Sequence, residues 1–354
     1  MTQIGAAAVA VADRIRADGP IGFDEFMDLA LYHPTHGFYM RGSGAGRRRD
    51  FLTNPEVGPL FGAVVASALD AWWNELGRPD PFPVVEAGAG PGTLARAISS
   101  AGPACGEALL LVLVEVSPTL RTGHPDGVEN RAELPAPGDL GDTPAIVLAN
   151  ELLDNLPFRL AGRTSDGWAE VRIGGDSAGL VEVLAPMPPA DQERCVRLAP
   201  HATDGARIPL QDRASAWLVD ALALAGGGRV VVFDYASPTT AALAGRPQSD
   251  WLRTYAAHSR GGHPWDHPGD QDVTCEVAID QLTAQRQPTE DRTQAAFLRA
   301  HGIEDLVAEG KAVWAERSHV GDLIAVRARS RIGEAEALTN PAGLGGFRVL
   351  EWAG

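Results

Sequence analysis

The sequence predicts an α/β protein: a Rossmann-like sheet, mainly parallel, entered through an N-terminal helical segment and interrupted by an antiparallel β insertion. Three observations predict it. Short apolar runs at Val84–Val85, Leu109–Val114 (LLLVLV), Ala145–Ala149 (AIVLA) and Arg229–Phe233 (RVVVF) read as buried strands of parallel type. The first is followed by a glycine turn and a helical pattern, the order of a nucleotide-type pocket. Between Phe158 and Pro186 the pattern changes to short alternating segments, FRLAGR, GWAEVRI and LVEVLAP, joined by Gly and Asp, which predicts antiparallel hairpins set into the parallel sheet.

Taken in order, Ile4–Arg16 and Phe23–Leu31 carry helical patterns, the second with Phe23, Phe26, Met27 and Ala30 on one face. LALYHPTHGFYMRG follows, with aromatic residues among Pro34, Gly37 and Gly42, and predicts an ordered loop folded over something. His33 and His36 in it have no third ligand near, so no metal is expected there. RDFLTNPEVGPLFG (49–62) then sets Thr53, Asn54 and Glu56 among apolar neighbours ahead of a long helix through about Leu76. Asn54 before Pro55 suits a helix entry with proline at the first helical position. The competing reading is a loop beside the glycine turn, with Glu56 or Asn54 reaching a ligand.

The rest is organised around FPVVEAGAGPGTLARA, Phe82–Ala97. Val84 and Val85 form the strand, Gly88, Gly90 and Gly92 let the backbone turn sharply and lie against a ligand, and Thr93–Ile98 has helical composition. LLLVLV ends in Glu115, an acid at the end of the second strand roughly 20–30 residues beyond the glycines, where such folds hydrogen-bond ribose hydroxyls. The dinucleotide pattern G-x-G-x-x-G is not met: the third glycine falls one place early at Gly92, and Pro91 removes an N–H that a pyrophosphate would use. An adenosine ligand without phosphates fits better than NAD, S-adenosylmethionine being the common one. Glu86, inside E-x-G-x-G-x-G, adds to that preference.

AIVLA stops at Asn150-Glu151-Leu152-Leu153-Asp154-Asn155, and open α/β sheets bind ligands outside the carboxyl ends of their strands. Asn150, Glu151 and Asp154 are therefore site candidates, with helix capping by Asn150 as the alternative. A helix over Asp212–Leu224 leads to RVVVF, ending at Asp234-Tyr235. The segment Trp251–Asp272 is loop-rich, and its His258, His263, His267, Asp266, Asp270 and Asp272 lack helical ligand spacing, so no metal is expected there either. Thr293–His301 and Ile303–Trp314 read as helices and Phe347–Trp352 as a closing strand.

The net charge of −16 argues against general binding to nucleic acid or an anionic membrane, and favours cationic substrates or solubility alone. The three cysteines, Cys105, Cys195 and Cys275, are widely separated, without C-x-x-C spacing, and imply a reducing compartment, read here as the cytoplasm. No run approaches transmembrane length, and the apolar patch Ile4–Ala12 lacks a basic leader.

With these pieces in place the chain resembles the MidA-like family of S-adenosylmethionine-dependent methyltransferases, which includes the mitochondrial complex I assembly-factor methyltransferase. FMDLALYHPTHGFYM, DFLTNPEVGPLFG, VVEAGAGPGTLARAI, ANELLDNLPFRL, VVFDYA, LRTYAAH with HPGDQDVTCEV, TQAAFLRAHGI and LTNPAGLGGFRVL carry the resemblance. Arg49 departs from the family's usual glycine, and Gly88-Ala89-Gly90-Pro91-Gly92 from its G-P-G-x-G. The resemblance implies a seven-stranded class I methyltransferase sheet with an inserted subdomain, S-adenosylmethionine as cofactor and, for some members, methylation of an arginine on a partner protein. The chain is expected to divide at 1–80, the helical segment and cofactor-covering loops; 81–157, the first half of the core; 158–225, the insertion; and 226–354, the second half with substrate-side loops. Glu86, Gly88, Gly90, Gly92, Glu115, Asn150, Thr53 and Asn54 are the expected cofactor residues, and Glu151, Asp154 and Glu56 the catalytic candidates. The partner is a protein or peptide presenting a basic side chain. A noncatalytic assembly protein retaining the cofactor fold, and an NAD- or FAD-dependent oxidoreductase, are the competing classes.

Overall fold

Successive side chains along each apolar run enter different cores, the period of two that a strand covered on both faces requires. Val84, Leu111, Leu113, Ile146, Leu148, Val231 and Phe233 enter one cluster, and Val85, Val112, Val114, Val147, Ala149, Val230 and Val232 the other. The computed structural model describes residues 5–42, 53–176, 179–256 and 259–354. The central sheet is built from β1 (Phe82–Ala87), β2 (Leu109–Val114), β3 (Glu129–Arg131), β4 (Ile146–Asn150), β5 (Arg229–Asp234), β6 (Glu290–Thr293) and β7 (Arg348–Ala353). Its seven strands lie in the order β6-β7-β5-β4-β1-β2-β3. β1 to β5 are parallel, while β7 runs antiparallel to both β5 and β6. The expected seven-stranded class I sheet is therefore observed. From β1 the chain steps outward to β2 and β3, then returns to β1's other edge as β4. The strand order reverses between β1 and β4, which is where such sheets bind ligands.

Helices cover both faces. One side packs against α2 (Pro59–Glu75), α3 (Thr93–Ala101), α5 (Gln294–Ala300) and the start of α6 (Ile303–Arg317), the other against α4 (Asp212–Ala225). The insertion forms a separate antiparallel sheet of five strands, in which Gly167–Asp176 pairs with Arg159–Thr164, Gly179–Pro186 and Ile21–Gly22. The N-terminal segment, α1 (Ala6–Asp18) and Phe23–Met27, packs on it through Val11, Phe23, Phe26 and Met27 against Phe158, Leu160, Val171 and Ile173.

Several expectations change in detail. The helix expected over Phe23–Leu31 is regular only to Met27 and continues as one wide π turn, Asp28–Tyr32. The Asn54 entry leads into a single turn, Asn54–Val57, and the long helix begins afresh at Pro59. The loop-rich stretch holds strands: Leu252–Ala256 pairs with Asp272–Cys275 and with Ser259–Arg260, an arrangement its Gly, Pro and His content disguised. α7 (Leu323–Thr339) had no signal, because its buried face is Ala325, Ala328, Glu334 and Leu338, too small and too polar to print an amphipathic pattern. Residues 43–52, which include Arg49 and the start of RDFLTNPEVGPLFG, and His258 lie outside the described residues.

Candidate active site at the sheet's switch point

β1 is buried along its whole length and ends in the glycine turn. Gly88 and Gly90 both take positive φ, +72° and +52°, and the turn is tied to the neighbouring strand by Gly88 and Ala89 N–H groups that both donate to the Val114 carbonyl, at 2.9 and 3.0 Å. A Cβ at Gly88 would stand 3.0 Å from Leu152, whereas one at Gly90 would meet nothing within 4 Å. The backbone at Gly90 is thus bared to open space. That space is a cavity of about 460 Å³ spanning the ends of β1, β2 and β4.

Its lining is strongly acidic. Asp28, Glu56, Glu86, Glu115, Glu133 and Glu151 contribute carboxylates, and Arg213 is the one basic side chain among the described lining residues. Glu115 follows β2 directly. Its two oxygens accept from Gly90 N–H at 2.9 Å and Ser117 N–H at 2.8 Å, and burial raises its pKa against the pull of those donors. Glu86 is more enclosed: burial pushes its carboxyl up to about 8, and its Oε2 has no hydrogen-bond partner. Glu56 accepts from the Thr93 hydroxyl at 2.7 Å, joining the N-terminal loop to the first turn of α3.

Beyond β4, Glu151 sits in the left-handed backbone region (φ +52°), an uncommon conformation for a residue with a side chain. Its N–H donates to the Phe233 carbonyl at 2.8 Å, and its carboxylate accepts from Asn54 N–H and Asn150 Nδ2, both at 3.2 Å. Burial, reinforced by Asp234, pushes the Glu151 carboxyl up to about 8. Tyr32 and Tyr39, stacked with ring centroids 5.7 Å apart, wall the same region. Tyr32 Oη donates to the Asn155 carbonyl at 3.2 Å and Tyr39 Oη to Asp272 at 2.8 Å.

The structure brings Thr53, Glu56, Glu86, Gly88, Gly90, Glu115, Asn150 and Glu151 together around one cavity. It does not bring Asp154, Asn54 or Gly92 to the lining. Asp154 is 3% exposed, beneath the wall, where burial and the nearby Asp234, Glu151 and Asp272 hold its pKa far above the ordinary value. The 3₁₀ turn Leu153–Asn155 turns it inward, because the Leu153 and Asp154 N–H groups are claimed by Asp234 at 3.0 and 3.3 Å. Asn54, wholly buried, is a brace instead: it donates to Asn150 at 2.9 Å and accepts from Gln294 at 2.7 Å. Gly92 packs against Pro125 and Leu113 and shapes the turn from behind.

Sequence reasoning missed Asp28, Tyr32, Tyr39, Arg213 and Trp217 in the lining. YHPTHGFY signalled an ordered covering loop, but Arg213 carried no local sign. No group of three or more His, Cys, Asp or Glu among the described residues is arranged to hold a metal. No described helix is long and apolar enough to cross a membrane.

Comparison with known proteins adds the following. Residues 64–295 match the family model described as "Putative S-adenosyl-L-methionine-dependent methyltransferase". The mitochondrial protein arginine methyltransferase NDUFAF7 of Bos taurus is 29% identical over 338 residues, covering 82% of this chain and 72% of that one. The mitochondrial homologue of Drosophila melanogaster is 32% identical over 195 residues, 48% of this chain. In that match and in the one to Xenopus tropicalis NDUFAF7, the chain spans 45% of the relative's length. A Burkholderia thailandensis structure bound to S-adenosyl-homocysteine superposes with a TM-score of 0.84 at 26% identity, covering 99% of this chain and 92% of that one. These relatives correct the cytoplasmic expectation, since those named protein arginine methyltransferases are mitochondrial. Cysteine usage separates reducing from oxidising surroundings and carries no address within the cell.

Proposed function

The chain belongs to this family of S-adenosyl-L-methionine-dependent methyltransferases, and from that premise we propose that it methylates a guanidinium nitrogen of an arginine on a protein or peptide partner. The relatives named as protein arginine methyltransferases support the acceptor class. The observation that carries the reading is the acidic rim, Glu151 above all, on a cavity whose floor is the glycine turn and Glu115.

The residues fit the cofactor. The bared backbone at Gly90 admits a ligand, and Glu115 is fixed by Ser117 with lone pairs left for ribose hydroxyls. The unpartnered Oε2 of Glu86 suits the ammonium of a methionine moiety. When bound, the cofactor supplies an electrophilic methyl group on a sulfonium. The chain's own task is alignment and exclusion of water rather than supply of a nucleophile. Asn54 and Asn150 hold the Glu151 carboxylate in place, and the Tyr32–Tyr39 pair closes that side.

An arginine acceptor is fully protonated and cannot attack until it sheds a proton. In the ligand-free protein Glu151 is protonated below about pH 8; the arriving cation favours its ionised form, and that form grips the guanidinium in a charge-assisted hydrogen bond and takes the proton it sheds. Glu151→Gln keeps the shape and the grip's geometry and removes the base. The expected result is unchanged S-adenosyl-homocysteine affinity by calorimetry, with methyl transfer to an arginine peptide slowed by about 2–4 kcal/mol in the barrier. Turnover at the wild-type rate removes Glu151 from the mechanism.

A further inference from the structure

Arg213 is a cation in the wrong place by ordinary rules. It is the second residue of α4, where the helix's N-terminal partial charge opposes a positive side chain. It nevertheless lines the acidic cavity, where its two terminal nitrogens fork onto the two carboxylate oxygens of Asp28, Nη1 to Oδ1 at 2.8 Å and Nη2 to Oδ2. Asp28 opens the π turn that carries Tyr32, and such wide turns gather at functional sites. The two side chains are 49% and 36% exposed, so the pair belongs to the solvent-facing part of the lining and is not part of any core.

We propose that Asp28 is a specificity residue for the acceptor, and that Arg213 occupies, in the resting protein, the place the acceptor's guanidinium takes when it arrives. This rests on the arginine reading of the site. A bidentate fork recognises the planar guanidinium and serves a lysine ammonium poorly, so the resident pair shows that Asp28 is oriented for guanidinium geometry. Displaced, Arg213 swings into water, where its charge no longer opposes the start of α4. The arriving acceptor docks first on Asp28, exchanging one exposed ion pair for another at small net cost, and releases that fork as its guanidinium passes on to Glu151 in the same cavity.

The test is calorimetry with S-adenosyl-homocysteine bound, using an acetylated, amidated peptide containing one arginine and its lysine counterpart. Arg213→Gln is expected to tighten the arginine peptide several-fold, and Asp28→Asn to weaken it about tenfold or more, the loss of a charged hydrogen-bond pair. The charge-exchanged double variant Asp28→Arg with Arg213→Asp rebuilds the ion pair and is expected not to recover peptide affinity. Recovery in the double variant, or no gain in Arg213→Gln, makes the pair a structural brace and overturns the proposal while leaving arginine as the acceptor. If wild type and Arg213→Gln both bind S-adenosyl-homocysteine but take no arginine peptide, the acceptor class itself is wrong and the proposal falls with it.

Discussion

At the scale of single residues, the two glycines bordering the cavity separate packing from ligand approach. Both need positive φ, so alanine at either costs about 1 kcal/mol in backbone strain. Gly88→Ala adds a collision, its Cβ arriving 3.0 Å from Leu152, a lining residue that must then shift. Gly90→Ala adds no collision with protein, since nothing lies within 4 Å, and instead places a methyl group where a ligand would rest. In urea titrations Gly88→Ala should be the less stable. In calorimetry Gly90→Ala should lose more than tenfold in S-adenosyl-homocysteine affinity for that roughly 1 kcal/mol of stability. Wild-type affinity in Gly90→Ala means the turn does not face the cofactor. The turn and Glu115 were legible in the sequence because their roles depend on spacing along one β-turn-α-β unit. Asn54 was not, because its side-chain partners Asn150 and Gln294 come from distant parts of the chain, and Asp154 was not, because a side chain's direction after a strand is set by whichever distant group claims the local N–H donors. Here that group is Asp234, 80 residues further on.

At the scale of elements, strands were legible wherever the pattern had only one interpretation, as in LLLVLV and RVVVF, and helices wherever a large apolar face recurred. What escaped was structure specified by distant partners. The start of α2 illustrates it: Asn54 was the expected cap of the long helix, yet the orphan N–H of Leu60 is satisfied by Glu334 Oε2 at 2.9 Å. Glu334 comes from α7 and is itself 7% exposed, with its other oxygen accepting from Ser330 at 2.7 Å. A buried carboxylate at a helix N-terminus is favoured by both the hydrogen bond and the helix's partial positive charge. Glu334→Ala removes the cap, leaves Leu60 N–H unpaired in a buried place and empties the space beside Gly58. A loss of about 2–4 kcal/mol in denaturant unfolding is expected. Glu334→Gln, which retains the acceptor oxygen, should lose less. Equal loss in the two variants means that packing volume, not the cap, is what Glu334 contributes.

At the scale of the whole molecule, the site's buried carboxyls should set the pH at which the ligand-free protein is most stable. Burial holds Glu86 and Glu151 protonated to about 8 and Asp234 to about 7, whereas in the unfolded chain carboxyls release their protons near their ordinary values. Between those limits the folded state binds more protons, so raising the pH favours unfolding. His301 acts in the opposite sense: burial against Trp72 and Phe297, with Arg292 near, lowers it from 6.5 to about 4. The unfolded chain binds its proton more tightly, so this contribution rises with pH up to about 6.5 and is constant above it. Above pH 6.5 the carboxyls slope the curve, stability falling by roughly 1 kcal/mol per pH unit for each carboxyl still protonated, and toward pH 8.5 the thiols of Cys105, Cys195 and Cys275, which burial also holds protonated, add to the fall. Urea unfolding from pH 6.5 to 8.5 measures this directly. Glu86→Gln and Glu151→Gln, which cannot ionise, should each flatten the decline, and an ammonium-bearing ligand should flatten it as well by pairing with an ionised Glu86. A wild-type profile already flat over that range means these carboxyls are ionised in the folded protein, and then Glu151 lacks the proton affinity that its place in methyl transfer requires.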